Sequence, residues 1–211
     1  MLLNHLYKIA VLSVLLPAVI STGCRHMNES LLLRESYLDP SLKPMTVVIS
    51  DLSIDRCFPK IDDFPEKVRP FAFGNNFRKV FRDSVKETIR KNLLFRAKSE
   101  GAYLSVVVRS VEYSANSTWA IWAGMLIVAP FFGFPLMSTT YSIEMEAAVM
   151  NRQGRVLKTY GTSVTDAEYV AMYWGYYDPA LVAYTKALLK ACDDIRGQME
   201  KDAANINGMI R

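Results

Sequence analysis

The chain has 211 residues, of which 51% are hydrophobic and 22% charged, so it can bury a core and lacks the composition of a disordered protein. Its net charge is only +4 and no long basic block occurs, so we expect no nucleic-acid partner. Both histidines, His5 and His26, lie near the N-terminus, which leaves the rest of the chain without imidazole for acid–base catalysis or metal binding. We therefore expect no enzymatic activity, no catalytic residues and no metal site.

Residues 1–23 have the features of a secretory signal peptide. Lys8 precedes an uncharged, almost entirely apolar stretch over residues 9–20, and three small residues follow it before Cys24. The apolar stretch is shorter than the roughly 20 residues that a membrane-spanning helix needs, which favours cleavage over anchoring.

The residues Ser-Thr-Gly-Cys that end at Cys24 resemble the lipobox of bacterial lipoproteins. The resemblance implies that Cys24 is lipidated and becomes the new N-terminus, with this covalent lipid and no other cofactor. Arg25 follows the cysteine where lipoproteins of the inner membrane often carry Asp, so the resemblance implies the outer membrane. The alternative is an ordinary secretory signal followed by an unrelated cysteine.

Residues 24–44 carry no clear hydrophobic period and end in a proline-containing stretch, which predicts a tether between the lipid and a folded domain over residues 45–211. Thr46–Ile54 is rich in β-branched residues and is predicted as the first strand. A helix is then predicted from Asn75 or Asn76 to about Phe95, with apolar residues every three or four positions. Its other face is basic, which is typical of a solvated surface, although contact with anionic lipid is the alternative.

The middle of the chain predicts three further strands: Tyr103–Tyr113, Thr140–Met150 and Val156–Val164. The second of these alternates apolar and polar residues, so one of its faces is expected to be solvated. The turn at Asn151–Gly154 predicts a hairpin, with the glycine in a left-handed conformation.

A last helix is predicted to start with Asp178 as cap and Pro179 at its first position, and to run to about Lys201. Cys192 lies on its apolar stripe and is predicted to be a core residue, although a disulfide with Cys57 stays open. The order β-α-β-β-β-α predicts an α+β fold of two layers. We expect a four-stranded, mostly antiparallel sheet with two helices on one face.

A hydrophobic insert is predicted at residues 114–140, between the second and third strands. Residues 119–137 carry no charge, but two prolines limit the helical part to about half the thickness of a bilayer. A re-entrant hairpin would return both ends to one side of the membrane and would need neighbouring copies to cover it, which points to a homo-oligomer. Three alternatives remain for this segment. It could form a water-excluding interface with another protein, fold back over the domain's own core, or be a genuine membrane span. The candidate membrane or partner contacts are Trp119, Trp122, Leu126, Ile127, Phe131, Phe132 and Phe134.

A second aromatic concentration lies at residues 169–184. Such side chains can stack on glycan, sit at a lipid interface or contact a protein partner, and simple packing is the alternative. The candidate ligand or interface residues are Tyr173, Trp174, Tyr176 and Tyr177.

With its lipobox, its order of elements and its apolar insert, the mature chain resembles small outer-membrane lipoproteins. The order of strands and helices is similar to that of YajG-like lipoproteins, and the insert is similar to the hydrophobic hairpin of TraT-type lipoproteins. The resemblance implies a non-enzymatic outer-membrane lipoprotein that assembles with itself or with an envelope complex. The alternative function is a monomeric periplasmic binding module for glycan, lipid or a protein, acting through the aromatic residues Tyr169–Tyr177.

Overall fold

The structure of the chain is a computed structural model, and it describes residues 37–38, 41–62, 77–93, 95, 101–117, 135–171 and 179–210. The described strands are β1 Thr46–Ile49, β2 Ala102–Ser117, β3 Pro135–Asn151 and β4 Val156–Ala171. The described helices are α1 Asp51–Asp62, α2 Phe77–Asn92, α3 Pro179–Lys201 and α4 Ala203–Met209. The fold is therefore α+β, with α1 and α4 in addition to the two predicted helices.

The four strands form one mixed sheet in the order β1-β2-β3-β4. β1 runs parallel to β2, whereas β2–β3 and β3–β4 are antiparallel, so the predicted mostly antiparallel sheet is correct for two of the three pairs. Parallel strands need a long crossover connection. In this chain α1 and α2 lie in that connection.

β3 is the central long strand, and its side chains alternate between a buried and a solvated face as predicted. The buried members are Tyr141, Ile143, Met145, Ala147 and Val149. On the opposite face Glu144 is exposed, and Glu146 Oε2 accepts hydrogen bonds from Arg109 Nε and Nη2 at 3.0 and 2.6 Å. Arg109 lies at an irregularity in the β2–β3 register.

α3 packs against β3 and β4, and α2 packs against α3. The predicted apolar stripe of α3 is buried at Tyr184, Leu188, Cys192, Ile195 and Met199. Cys57 is also buried, but the two thiols form no disulfide with each other. Burial raises the pKa of the Cys192 thiol to about 12, which keeps it protonated and unreactive at neutral pH.

The predicted first strand, Thr46–Ile54, is wrong in its second half, because β1 ends at Ile49 and α1 begins at Asp51. Ser50 explains the change, since its Oγ accepts a hydrogen bond from the Ser53 backbone N–H at 3.3 Å. A serine that accepts a hydrogen bond from the third helical residue is an N-cap, and the negative charge of Asp51 suits the first turn of a helix.

α1 continues the contact with β2 at the point where β1 ends. The Ser50 backbone N–H donates to the carbonyl of Val106 at 3.0 Å, as a strand residue would. Beyond it, the Val108 N–H donates to Ser53 Oγ at 3.2 Å. The Cys57 thiol lies 3.8 Å from the Val108 carbonyl oxygen, but its nearer acceptor is the Ser53 carbonyl at 3.3 Å. A hydroxyl from α1 therefore takes the place of a longer β1 as a hydrogen-bond partner of β2.

The β3–β4 hairpin is confirmed. Gly154 has φ +77, in the left-handed region that glycine adopts without a steric penalty. The Asn151 side-chain carbonyl accepts hydrogen bonds from the backbone N–H groups of Gln153 and Arg155 at 3.0 and 2.9 Å. This turn fixes the register of β3 and β4.

The end of the predicted tether packs against the domain. Leu38, Leu42 and Met45 are only 2%, 4% and 3% exposed and belong to the main hydrophobic cluster. A flexible segment within the predicted tether 24–44 would therefore end before Leu38.

Residues 41–45, which we call the strap, are hydrogen-bonded to the C-terminal end of α4. The Lys43 backbone N–H donates to Asn207 Oδ1 at 2.8 Å, and Asn207 Nδ2 donates to the Ser41 carbonyl at 2.6 Å. Lys43 Nζ donates to the carbonyls of Asn207 and Ile210 at 2.9 and 2.6 Å. A cation placed at the last carbonyls of a helix is stabilising, so the strap and α4 support each other.

We predict that Leu42→Ala lowers the free energy of unfolding by about 2–5 kcal/mol, because it leaves a cavity in a packed core. Val156→Ala is the control, since Val156 is 52% exposed and its truncation is expected to cost about 0.5 kcal/mol or less. Urea denaturation of both variants measures the difference. Equal, small effects would contradict a core role for the strap.

An ionic hydrogen bond joins β4 to the junction between α3 and α4. The Tyr160 hydroxyl donates to Asp202 Oδ2 at 2.8 Å, and Lys158 Nζ lies 3.5 Å from the same oxygen. The hydrogen bond from Tyr160, assisted by one from Asn205, holds the pKa of Asp202 below its usual 3.8. The pKa of Tyr160 is raised, first by burial and then by this carboxylate.

A carboxyl group with a lowered folded-state pKa stabilises the fold above its unfolded-state pKa, and this stabilisation is lost as the pH falls through the folded-state value. We therefore predict that Tyr160→Phe lowers stability at neutral pH, and that the difference from the unmodified chain shrinks between about pH 5 and about pH 2. Denaturant unfolding across this range measures it. Tyr184→Phe is the control, because burial raises the pKa of Tyr184 and confines its titration to the alkaline range. A pH-independent effect of Tyr160→Phe would contradict the prediction.

Candidate membrane and partner interface

The two ends of the apolar insert lie side by side. Pairing of β2 with β3 continues to Ser117 opposite Met137, so the strands extend into the predicted insert 114–140 and leave residues 118–134 between them. Adjacent strands lie about 4.8 Å apart, so the chain leaves and re-enters the sheet at neighbouring points. The predicted contact residues Trp119, Trp122, Leu126, Ile127, Phe131, Phe132 and Phe134 lie outside the described residues.

The second aromatic segment leaves the sheet at the same end. β4 ends at Ala171, which pairs with Pro135 at the start of β3, and α3 begins at Pro179. Tyr173, Trp174, Tyr176 and Tyr177 lie outside the described residues, between these two points of the chain. Two aromatic-rich segments that are separate in the sequence thus have their described ends at the same end of the sheet.

The described residues near this end are rich in tyrosine. The rings of Tyr113 and Tyr141 have centroids 5.0 Å apart, and those of Tyr141 and Tyr184 lie 5.5 Å apart, edge to face. Tyr141 and Tyr184 are buried, whereas Tyr169 on β4 is 49% exposed. Edge-to-face aromatic pairs stabilise packing beyond the area that they bury. Tyr113, Tyr141 and Tyr184 therefore form a packed group at this end of the core, which we call the tyrosine layer.

The strap lies at the opposite end of the sheet. β1 starts at Thr46, directly after the strap, and Thr46 pairs with Tyr103 at the start of β2. β2 then runs for 16 residues, or about 50 Å at about 3.3 Å per residue, to the insert. Cys24 lies outside the described residues, but the chain that connects it to the domain enters at the end far from the insert.

The basic face of α2 is partly neutralised by α1. Lys86 forms an ion pair with Asp51, and Arg82 Nη1 lies 3.8 Å from Asp55 Oδ1. The spacing of the two aspartates places them one turn apart on α1, so the two helices are joined along their sides. These contacts favour the solvated-face interpretation of this surface over a lipid contact.

The described residues contain no cluster of three or more His, Cys, Asp or Glu side chains that could hold a metal ion. In the same part of the chain, no helix is both long enough and apolar enough to cross a membrane.

No protein-family model matches the sequence, and no curated protein matches it significantly. Among solved structures, the chain is similar to a proposed lipoprotein from Caulobacter crescentus, with 9% identity, a TM-score of 0.33, and coverage of 62% of this chain and 83% of the other. It is also similar to a protein of Xanthomonas campestris from the family DUF330, with 14% identity, a TM-score of 0.39, and coverage of 80% of this chain and 96% of the other. Similarity at this level does not assign a function to the chain.

Proposed function

We propose that the protein is a non-enzymatic lipoprotein of the bacterial outer membrane, anchored through a lipid on Cys24, whose domain presents residues 118–134 to neighbouring copies or to an envelope complex. The observation that supports the proposal is the convergence at one end of the sheet. The insert and the aromatic segment 172–178 both leave and return there, next to the tyrosine layer.

Two physical arguments connect this end of the domain with assembly. A large exposed apolar surface is aggregation-prone unless lipid or protein covers it. Trp and Tyr combine an apolar ring with a polar group, so they suit both a membrane interface and a protein interface. The described ends of two segments that contain such residues meet at this end of the domain, which makes it the strongest candidate for contact.

The paired ends of the insert also favour a hairpin over a single membrane pass. A single pass would place β2 and β3 on opposite sides of a bilayer, but they pair from Ala102–Asn151 to Ser117–Met137. Backbone that turns within hydrocarbon must have its polar groups covered by protein, so an inserted hairpin would need neighbouring copies. Self-assembly is therefore part of the proposal.

A monomeric binding module is the second candidate, and the exposure of Tyr169 favours it. This side chain stands 49% exposed on β4, two residues before Ala171, where the segment with Tyr173 and Trp174 begins. An exposed aromatic side chain next to the start of an aromatic-rich segment could contribute to stacking on a glycan or lipid.

We predict that replacing residues 118–134 with a short Gly-Ser linker converts a detergent-dependent oligomer into a smaller, detergent-independent species. The replacement leaves Ser117 and Pro135 in place, so the β2–β3 pairing is retained. Light scattering with and without detergent, on chains that carry Cys24→Ser, measures the mass without a contribution from the lipid.

The control appends the same linker after Arg211, away from the β2–β3 pairing, and should leave the mass unchanged. An unmodified chain that is a detergent-independent monomer would contradict the proposal and direct attention to the binding module. In that case, substitutions at Tyr173, Trp174 and Tyr176 should abolish ligand binding while the linker variant retains it.

We predict that Cys24→Ser abolishes incorporation of a labelled fatty acid in a bacterial host and shifts the protein out of the outer-membrane fraction. The reason is that a cysteine carrying several acyl chains anchors durably, at about 0.8 kcal/mol per buried methylene. Arg25→Asp is the companion variant, and should keep the label but move the protein to the inner membrane. Equal labelling of the Cys24→Ser chain would show that this cysteine is not the lipidation site.

A further inference from the structure

β4 is a long strand at the edge of the sheet. It has 16 residues and pairs with β3 on one side, and no other strand of the described residues pairs with its second side. An edge strand presents a row of backbone donors and acceptors that a further strand can use.

One hydrogen bond shows which backbone groups point outward from this edge. The carbonyl of Gly161 accepts from Gln198 Nε2 of α3 at 3.0 Å, so it does not point at β3. Because backbone groups alternate in direction along an antiparallel strand, the same orientation holds for Thr159, Ser163 and Thr165. The outward donors and acceptors therefore belong to the odd-numbered residues of β4. Among them, the Gly161 carbonyl already accepts from Gln198, so a further strand would share or displace that bond.

The side chains of these outward residues offer no obstacle to another strand. The set is small and uncharged and contains no proline: Thr159, Gly161, Ser163, Thr165 and Ala167. Thr159, Gly161, Ser163 and Thr165 are exposed. Natural edge strands are usually protected by lysine, proline or a bulge. β4 has a lysine and a register irregularity at the end near the turn, but residues 159–167 contain no lysine, proline or irregularity.

The charges along the edge reverse sign from one end to the other. On β4, Lys158 lies near the turn and Glu168 near the insert. α3 runs the other way beside it, as shown by the ion pair of Lys186 with Glu168 and the hydrogen bond from Thr162 Oγ1 to Asp194 Oδ2 at 3.1 Å. Each of these two charges on β4 thus meets an opposite charge from the helical layer, Lys158 with Asp202 and Glu168 with Lys186.

We propose that a second copy of this chain pairs with β4 along this edge in an antiparallel, two-fold arrangement, with Ser163 opposite Ser163. A two-fold axis brings each end of the edge against the opposite end of the second copy. This register places Lys158 opposite Glu168 of the second copy, so opposite charges meet on both sides of the axis. It also places the residue without a side chain, Gly161, opposite Thr165.

The arrangement has a consequence for the two ends of the domain. Because the strands are antiparallel, the end of one copy that carries the insert lies beside the end of the second copy that carries the strap. The pairing does not depend on the proposed lipid or on the insert, since it uses described residues of β4 and α3 alone.

Oxidative cross-linking of the full chain in the membranes of a bacterial host tests the proposal. Opposed residues of a hydrogen-bonded antiparallel pair have Cα atoms about 5.5 Å apart, which a disulfide can bridge. Ser163→Cys is therefore expected to give a covalent species of twice the chain mass. Thr159→Cys is the matched control on the same edge, because its two copies would lie more than about 20 Å apart. Thr159→Cys and Ala167→Cys chains expressed together should cross-link to each other.

Absence of the doubled species with Ser163→Cys, or equal cross-linking of Thr159→Cys alone, overturns the proposal. The mixed pair gives a second readout. Failure of Thr159→Cys and Ala167→Cys chains to cross-link when they are expressed together overturns the register. The Ser163→Cys experiment is repeated in a chain whose residues 118–134 are replaced by the linker, which separates the β4 interface from one formed by the insert. Loss of the cross-link in that chain would show that the β4 pairing depends on the insert, contrary to the proposal.

Discussion

β3 is paired with β2 on one side and β4 on the other along almost its whole length, and the rest of the domain depends on the register of these two pairings. Its alternation places Ile143 and Met145 under the helices and Glu144 and Glu146 on the solvated face. A shift of one residue would bury both carboxylates and expose the core. The turn around Gly154 and the Tyr160–Asp202 hydrogen bond hold this register at the end far from the insert.

The same pairings determine where the aromatic segments go. Because β2, β3 and β4 end together, three chain positions far apart in sequence, Ser117, Pro135 and Ala171, meet at one edge of the molecule. Tyr141 and Tyr184 of the tyrosine layer are buried near them, so this end of the sheet is packed onto the core.

The sequence predicts well the elements whose patterns are long and local. The alternation over Thr140–Met150, the glycine turn and the helix that begins at Pro179 are all confirmed. α1 is missed because the apolar residues of Thr46–Ile54 suit a strand as well as a short helix, and only the pair Ser50 and Asp51 signals the change.

Other features depend on contacts between residues far apart in the chain, which a local pattern does not contain. The parallel pairing of β1 is one example, because four residues select a neighbour through contacts with β2 rather than through their own period. The docking of the strap is another, since Asn207 and Lys43 are separated by almost the whole domain. The site residues around Trp119 and Tyr173 lie outside the described residues, so their roles stay predictions.

The docked chain from Leu38 to Met45 limits how far a lipid on Cys24 could lie from the insert. From Cys24 to Leu38, which is buried in the core, a fully extended chain reaches at most about 50 Å. β2 alone is about 50 Å long. A lipid on Cys24 and the insert could therefore enter the same bilayer in two ways. Either the residues after Cys24 are almost fully extended, or the long axis of the sheet lies parallel to the membrane. The docking of the strap therefore limits the length of chain between Cys24 and the domain, and with it the orientations that the domain could adopt at a membrane. Shortening residues 26–36 would favour the flat orientation, and lengthening them would permit an upright one.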